Sequence, residues 1–297
     1  MMRLKLLAAL TVVSILQIPA MTAASAAGKH ENSAIGEHPP RLSSTSALII
    51  DQKNGTTFYA KNPEDKMPIA SITKLMTAMV VLDSKPSMSE RLTIKNEDVD
   101  TLRNSSSRLR VGTTLSRREM LQLALMSSEN RAASALAHAY PAGYPAFIAA
   151  MNRKAREIGM RHSTFVDPTG LHSANAATAE DLSKMVVAAY HYDLIRKITT
   201  TGSYELATHK RVIGFKNTNA LVRNRNWQIG LSKTGFINEA GHCLVMQARV
   251  ARRPLIIVLL DSGGKRGRID DAIHLKHWIE QNMPSATAAR AVHERAG

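Results

Sequence analysis

The sequence predicts an α+β fold, in which one antiparallel sheet packs with helices and a helical lobe is inserted between the first strands and the last. Three observations carry this prediction. Near the N-terminus, Ala47-Leu48-Ile49-Ile50 and Thr56-Thr57-Phe58-Tyr59 flank Asn54-Gly55, a dipeptide that favours a tight hairpin turn. The middle of the chain follows helical periodicity. The last third holds three apolar runs, near 228–237, 242–250 and 254–261, whose short polar breaks suit antiparallel neighbours better than crossovers.

Each element has its own signal. Residues 1–26 read as a secretory signal: Arg3 and Lys5, then the apolar run Leu6–Ala20, then Ala24-Ser25-Ala26 with cleavage expected after Ala26. The run is short of the roughly 20 apolar residues that a transmembrane helix needs. Residues 27–44 carry few apolar positions and read as a flexible leader, so the folded domain is expected over 45–283. Pro68 and Ser71 open a helical pattern with Ile72, Leu75, Met76, Met79 and Val80 on its apolar side. Residues 101–115 are polar and punctuated, which predicts a loop. Ser116 and Glu119 form a capping box before Met120, Leu121, Leu123, Ala124 and Leu125. Helical patterns follow over about 131–139, 144–158 and 178–191. A long connection, 159–177, contains Asp167-Pro168-Thr169-Gly170. Leu255 to Leu260 is uninterrupted, as in a strand covered on both faces. Ile269 to Gln281 closes the domain as a helix, and 284–297 reads as a loose tail.

Composition narrows the function. The chain has 297 residues, 44% hydrophobic, with 39 Lys+Arg against 24 Asp+Glu and a formal charge of +15, which excludes disorder along its whole length. A basic surface permits an anionic partner. Export and only 4% aromatic residues argue against nucleic acid. The one cysteine, Cys243, excludes an intramolecular disulfide and is expected to be buried within a strand and inert. The 11 histidines include no H-E-x-x-H metal motif.

Three short motifs carry chemistry. Ser71-Ile72-Thr73-Lys74 opens a helix, where positions i and i+3 share a face, so the lysine amine can approach the serine hydroxyl. A serine needs an adjacent base to become a nucleophile, and a lysine serves when burial favours its neutral form. Ser128-Glu129-Asn130 follows an apolar helix; it reads as a helix-end turn, or as a hydroxyl and an amide aimed into a cleft. Lys233-Thr234-Gly235 lies in the first late strand, where a glycine marks a bulge or a close backbone approach. It reads as an edge strand guarded by a lysine, or as an anion site beside an edge that pairs with an extended peptide. The chain supplies decoys. Ser262-Gly263-Gly264-Lys265 repeats the first spacing but follows a strand and reads as a surface turn. Ser173-Ala174-Asn175 repeats the second, where capping of the next helix explains it.

The order of these motifs, S-x-x-K then S-x-N then K-T-G, is that of penicillin-binding proteins and class A β-lactamases. Over about Ser44 to Met283 the sequence resembles the low-molecular-mass penicillin-binding proteins, serine D-Ala-D-Ala peptidases that trim peptidoglycan. Phe165-Val166-Asp167-Pro168-Thr169-Gly170-Leu171 is similar to their carboxypeptidase and endopeptidase branch. Asn104-Ser105-Ser106-Ser107-Arg108-Leu109, Leu125 to Ala133 and Gly230 to Gly235 resemble the periplasmic endopeptidases in particular. The resemblance implies a DD-peptidase/serine β-lactamase-like fold, a periplasmic enzyme, peptidoglycan stem peptides and cross-links as substrate, and β-lactams as covalent inhibitors.

It implies catalytic roles for Ser71, Lys74 and Ser128. It implies substrate binding by Asn130, Lys233, Thr234, Gly235 and Phe236, with the Phe236 N–H sharing an oxyanion hole with that of Ser71. In that scheme the charge of Lys233 helps to keep Lys74 neutral, and neither a metal nor another cofactor takes part. A carboxypeptidase is the nearest alternative. A β-lactamase of class A would add a glutamate in an E-x-x-L-N stretch, which the sequence lacks; a non-catalytic peptidoglycan-binding protein is a further alternative.

Overall fold

The structure, a computed structural model, describes residues 31–33, 39–208 and 211–283, so the predicted signal (1–26) and tail (284–297) lie outside the described residues. Three strands open the fold: β1 (Glu31–Ser33), β2 (Ser44–Asp51) and β3 (Thr57–Lys61). A two-residue strand, β4 (Met67–Pro68), leads through a 3-10 turn at Ala70–Ile72 into α1 (Thr73–Asp83). The helical lobe then comprises the small pair β5 (Arg91–Thr93) and β6 (Thr114–Ser116), followed by α2 (Arg117–Met126), α3 (Asn130–His138) and α4 (Gly143–Glu157). After β7 (Ala176–Ala177) come α5 (Ala179–Tyr190), α6 (Asp193–Thr199) and the hairpin β8 (Ser203–Ala207) and β9 (Val212–Lys216). The chain ends with β10 (Gln228–Ile237), β11 (Gly241–Val250), β12 (Arg253–Ser262) and α7 (Gly267–Asn282).

The main sheet has the order β1-β3-β2-β12-β11-β10, antiparallel throughout. The last strand to be made therefore inserts beside β2, with Leu255 opposite Asp51 and Leu259 opposite Ala47. Successive side chains alternate across a strand, and β12 serves two cores in this way. Leu255, Ile257 and Leu259 meet Trp278 and Leu275 of α7, while Ile256, Val258 and Leu260 join the lobe-side core around α1 and α5. This is the doubly covered strand expected from the unbroken apolar run. Cys243 is fully buried in β11, and burial pushes its thiol up to about 11, which leaves it unreactive. The capping box is present: the Ser116 side chain accepts from Glu119 N and the Glu119 carboxylate accepts from Ser116 N. Helix α1 is buried on every side from Thr73 to Val81, in contact with α2, α3, α4 and α5.

Several expectations need correction. The Asn54-Gly55 turn is wider than a two-residue hairpin: Asp51 N donates to Thr56 O and Gly55 N to Asp51 O, and the ladder shifts register between Ile49 and Ile50. The leader is not wholly outside the fold. Glu31–Ser33 pairs with Tyr59–Lys61, and Ser44 already belongs to β2, buried with its N–H and hydroxyl donating to Asp271 of α7 at 2.8 and 2.6 Å. Both contacts use backbone or hydroxyl groups, which hydropathy does not register. Helix α6 and the β8–β9 hairpin had no sequence signal, since only Leu206 and Phe215 of the hairpin strands are buried.

The connection 159–177 is held at its centre by Asn175, with Asn152, Asp167 and Asp181 bonding it elsewhere. Asn175 is fully buried; it does not cap α5, which Thr178 does. Its Oδ1 accepts from Val166 N at 2.6 Å, and its Nδ2 donates to Asp167 O at 3.0 Å and to Thr73 Oγ1 of α1 at 3.2 Å. Replacing it leaves buried donors and acceptors without partners. Asn175→Ala is expected to cost about 3 kcal/mol of stability, read as a lowered midpoint in denaturant and in thermal melting.

Candidate active site

Three stretches distant in sequence converge at the open edge of β10. Ser71 sits in the 3-10 turn ahead of α1, half-buried, and the turn places it on the same face as Lys74, one turn earlier. Ala70, just before it, adopts φ +47, in the left-handed region that non-glycine residues avoid. Its carbonyl is held by Thr73 Oγ1 at 2.8 Å. Two glycines let the neighbouring backbone close on this turn. A Cβ on Gly170 (φ +83) would lie 1.9 Å from Ala70 O, and one on Gly235 would lie 2.7 Å from Ile69 O and 3.2 Å from Ser71 N. The close approach that the K-T-G glycine predicted is thus an approach to the turn bearing Ser71.

Lys74 is buried, 1% exposed, and its Nζ makes three contacts: Ser71 Oγ at 2.8 Å, Asn130 Oδ1 at 2.7 Å and Thr169 O at 2.6 Å. Among the described residues no carboxylate lies within ion-pair distance of it. Burial pushes its amine down to about 7, against the opposing pull of Asp167 and Glu129. Burial is therefore the largest cause favouring the neutral form, and the repulsion between Lys74 and Lys233 is felt at Lys233, whose amine it lowers. A neutral amine has two hydrogens. Given to Asn130 Oδ1 and Thr169 O, they leave its lone pair for the Ser71 hydroxyl.

A second pair stands beside the first. Lys233 Nζ donates to Ser128 Oγ at 2.9 Å and to Thr234 O at 2.7 Å. Burial, then Lys74, then Arg268 of α7 push its amine well below the usual lysine range. Ser128 has φ +61, in the tight link between the end of α2 and the start of α3. Thr234 Oγ1 donates to Thr218 Oγ1 at 2.7 Å. The Phe236 ring is 52% exposed and stacks on His242, with centroids 4.3 Å apart. All eight residues singled out from the sequence lie on these three stretches, although Ser128 bonds to Lys233 and Asn130 takes the direct contact with Lys74. The first decoy lies elsewhere: Ser262 is buried against Ser44, and Lys265 is in the turn after β12; Asn175 of the second bonds Thr73 Oγ1 from behind the site.

The sequence reading missed the supports. Asp167 Oδ1 accepts from Thr169 N, Thr169 Oγ1 and Gly170 N at 2.6, 2.5 and 2.8 Å, which shapes the turn that delivers the Thr169 carbonyl to Lys74. The Asp-Pro-Thr-Gly turn was legible; the use of its carbonyl was not, because a backbone group has no residue signature. Asn130 Nδ2 donates to Ser105 Oγ at 2.9 Å, and the buried Glu129 accepts from Ser107. The loop 101–113 is thereby part of the site.

A serine held against a buried lysine whose amine is pushed toward its neutral form, with a second serine–lysine pair alongside, defines a serine hydrolase that works by acyl transfer. The chain belongs to the D-alanyl-D-alanine carboxypeptidase family, whose pattern matches residues 33–264. It is 49% identical over 252 residues to a D-alanyl-D-alanine endopeptidase of Pseudomonas aeruginosa, covering 84% of this chain and 81% of that one. Identity to the D-alanyl-D-alanine endopeptidase of Escherichia coli is 46% over 255 residues, covering 84% and 82%. The fold is that of the Streptomyces K15 DD-transpeptidase crystal structure, with TM-score 0.76 and 28% identity over 82% of this chain and 98% of that one.

Gly170→Ala tests the packing behind the nucleophile. The added Cβ must displace the Ala70 carbonyl, so the variant is expected to react with a penicillin at least about tenfold more slowly, measured by the rate of covalent labelling.

Proposed function

We propose that this protein is a serine D-Ala-D-Ala endopeptidase that hydrolyses peptidoglycan cross-links through an acyl-enzyme on Ser71. The observation that carries the chemistry is the hydrogen-bond set of Lys74, with two carbonyl acceptors on one side and the Ser71 hydroxyl on the other. Neutral Lys74 takes the Ser71 proton as the hydroxyl oxygen attacks the carbonyl of a D-Ala residue. The N–H groups of Ser71 and Phe236 stabilise the oxyanion; support comes from the approach of Gly235 to the Ser71 turn, which brings the next N–H of β10 alongside. The C–N bond breaks, and the proton that Lys74 took from Ser71 reaches the leaving amine through Ser128, which Lys233 holds by a hydrogen bond. Water then releases the acyl group. Thr234 binds a substrate or inhibitor carboxylate, and Asn130 orients the substrate amide. The substrate backbone lies along β10, whose outer edge is unpaired among the described residues.

The names of the two endopeptidase relatives support an endopeptidase, and the family description supports carboxypeptidase action as the second reading. The expected export signal supports a periplasmic location, and among the described residues no helix is long and apolar enough to cross a membrane.

Mass spectrometry of cross-linked muropeptides after incubation with the mature protein separates these readings. Monomeric products are expected from the parent and none from Ser71→Ala. Loss of a terminal D-Ala alone would identify a carboxypeptidase, and equal activity of the variant would remove Ser71 from the mechanism.

The pH dependence follows from Lys74. The base works only when neutral, so acylation by a penicillin is expected to rise as pH passes upward through about 7. The negative charge of Glu129 favours the protonated amine. Glu129→Gln removes that charge while keeping an acceptor for Ser107, so the rising limb should move to lower pH. A limb that stays in place or moves upward in the pH–rate profile contradicts this account.

A further inference from the structure

Residues 103–108 lie in the loop between β5 and β6, on the helical-lobe side of the groove, with Asn104 in the left-handed region (φ +52). Exposure alternates along it: Arg103, Ser105 and Ser107 are half-buried, whereas Asn104, Ser106 and Arg108 are exposed. The Asp100 carboxylate fixes its start by accepting from the N–H groups of Leu102, Arg103 and Ser105 at 2.9, 3.0 and 2.9 Å. From this anchored backbone, Arg103 reaches two other walls of the site. Its Nε donates to Leu171 O, in the loop that also delivers Thr169 O to Lys74. Its Nη2 meets Glu239 Oε1 at 2.8 Å.

Glu239 lies in the β10–β11 turn, three residues beyond Phe236. In the mechanism above, the leaving amine departs at the Ser128–Lys233 end, so the acyl side of the substrate extends toward Glu239. The ion pair therefore spans the groove where the acyl-donor peptide would run. Its two members differ in how firmly they are held. Arg103 is tied by its backbone and by a neutral carbonyl, which orients the guanidinium without compensating its charge. Glu239 is half-exposed and, among the described residues, has no other cationic partner. A pair with one half-exposed partner is weaker than a buried one and opens to solvent from the Glu239 side. A guanidinium fixed along one edge presents its remaining N–H groups in the fork that suits a carboxylate.

We infer that Arg103 is a specificity-determining residue that reads a carboxylate on the acyl-donor stem peptide, and that Glu239 is an internal carboxylate holding that place in the free enzyme. The inference rests on the peptidase reading above and adds the feature of the substrate that is recognised. The two residues then act in opposite directions: Arg103 favours acidic stem peptides and Glu239 competes with them. A strap that served only to brace the loops would give both residues the same sign.

The test uses two cross-linked peptides that differ only in amidation of the donor stem's free carboxylates. The quantity read is the ratio of kcat/KM for the free over the amidated peptide, taken within each protein, so that a general loss of activity cancels. The parent is expected to prefer the free form. Arg103→Gln should lower the ratio about tenfold, toward one. Glu239→Gln, a change in an exposed turn, should raise it about threefold. A ratio unmoved by either substitution, or moved in the same direction by both, overturns the inference while leaving the peptidase reading intact. Failure of the parent to cleave either peptide overturns the peptidase reading, and this inference with it.

Discussion

The site depends on one unfavourable arrangement: a lysine amine enclosed in the protein with no carboxylate at ion-pair distance among the described residues. Taking a charged ammonium out of water costs several kcal/mol unless the charge is paired. Lys74 meets this by sitting near the balance between its two forms, with carbonyl oxygens placed to receive the hydrogens it keeps. Much of the surrounding structure maintains that condition. Helix α1 is the most enclosed helix of the lobe, Asp167 folds the turn that supplies one carbonyl, and Ser105 supports the amide that supplies the other. An ion pair at this position would be simpler to accommodate and would have no lone pair to offer.

The backbone around Lys74 is correspondingly fixed. Ala70 and Ser128 both occupy the left-handed region, one beside the nucleophile and the other carrying the second hydroxyl. Conformations of this kind persist where the surroundings over-determine them. Here the Gly170 and Gly235 backbones press against the Ala70–Ser71 turn from two directions, and neither position has room for a side chain. The reacting groups are thus set by packed backbone more than by side-chain choice, which favours reaction by removing motions that would otherwise have to be frozen out.

The parts of the molecule that were legible in the sequence share a cause, and so do the parts that were not. The strands of the last third and the helices of the lobe announce themselves because Leu255–Leu260, Met120–Leu125 and the residues of α1 must leave water in a fixed period. Serine and lysine three residues apart at a helix start are legible because the chemistry depends on those side chains. The Thr169 carbonyl, the anchoring of Ser44 by Asp271, and the pairing of Glu31–Ser33 with β3 all use groups that every residue carries or that polar loops commonly carry. Asn175 misled for the same reason. Before a helix, an asparagine is ordinarily a cap, and only burial against α1 reveals it as a brace between two segments.

Sheet order has a consequence for how the protein comes into being. Strand β2 is among the first segments of the domain to be made, yet one of its neighbours, β12, is among the last, and β10, which closes on the nucleophile turn, also lies in the final third. Contacts so far apart in the chain carry a large loop-closure cost and form late. A chain still emerging, or cut short before β10, holds Ser71 and Lys74 without the strand that backs them. The complete site therefore requires strands from both ends of the domain, and chains that lack β10 carry the chemical groups of the enzyme without the backbone that fixes them.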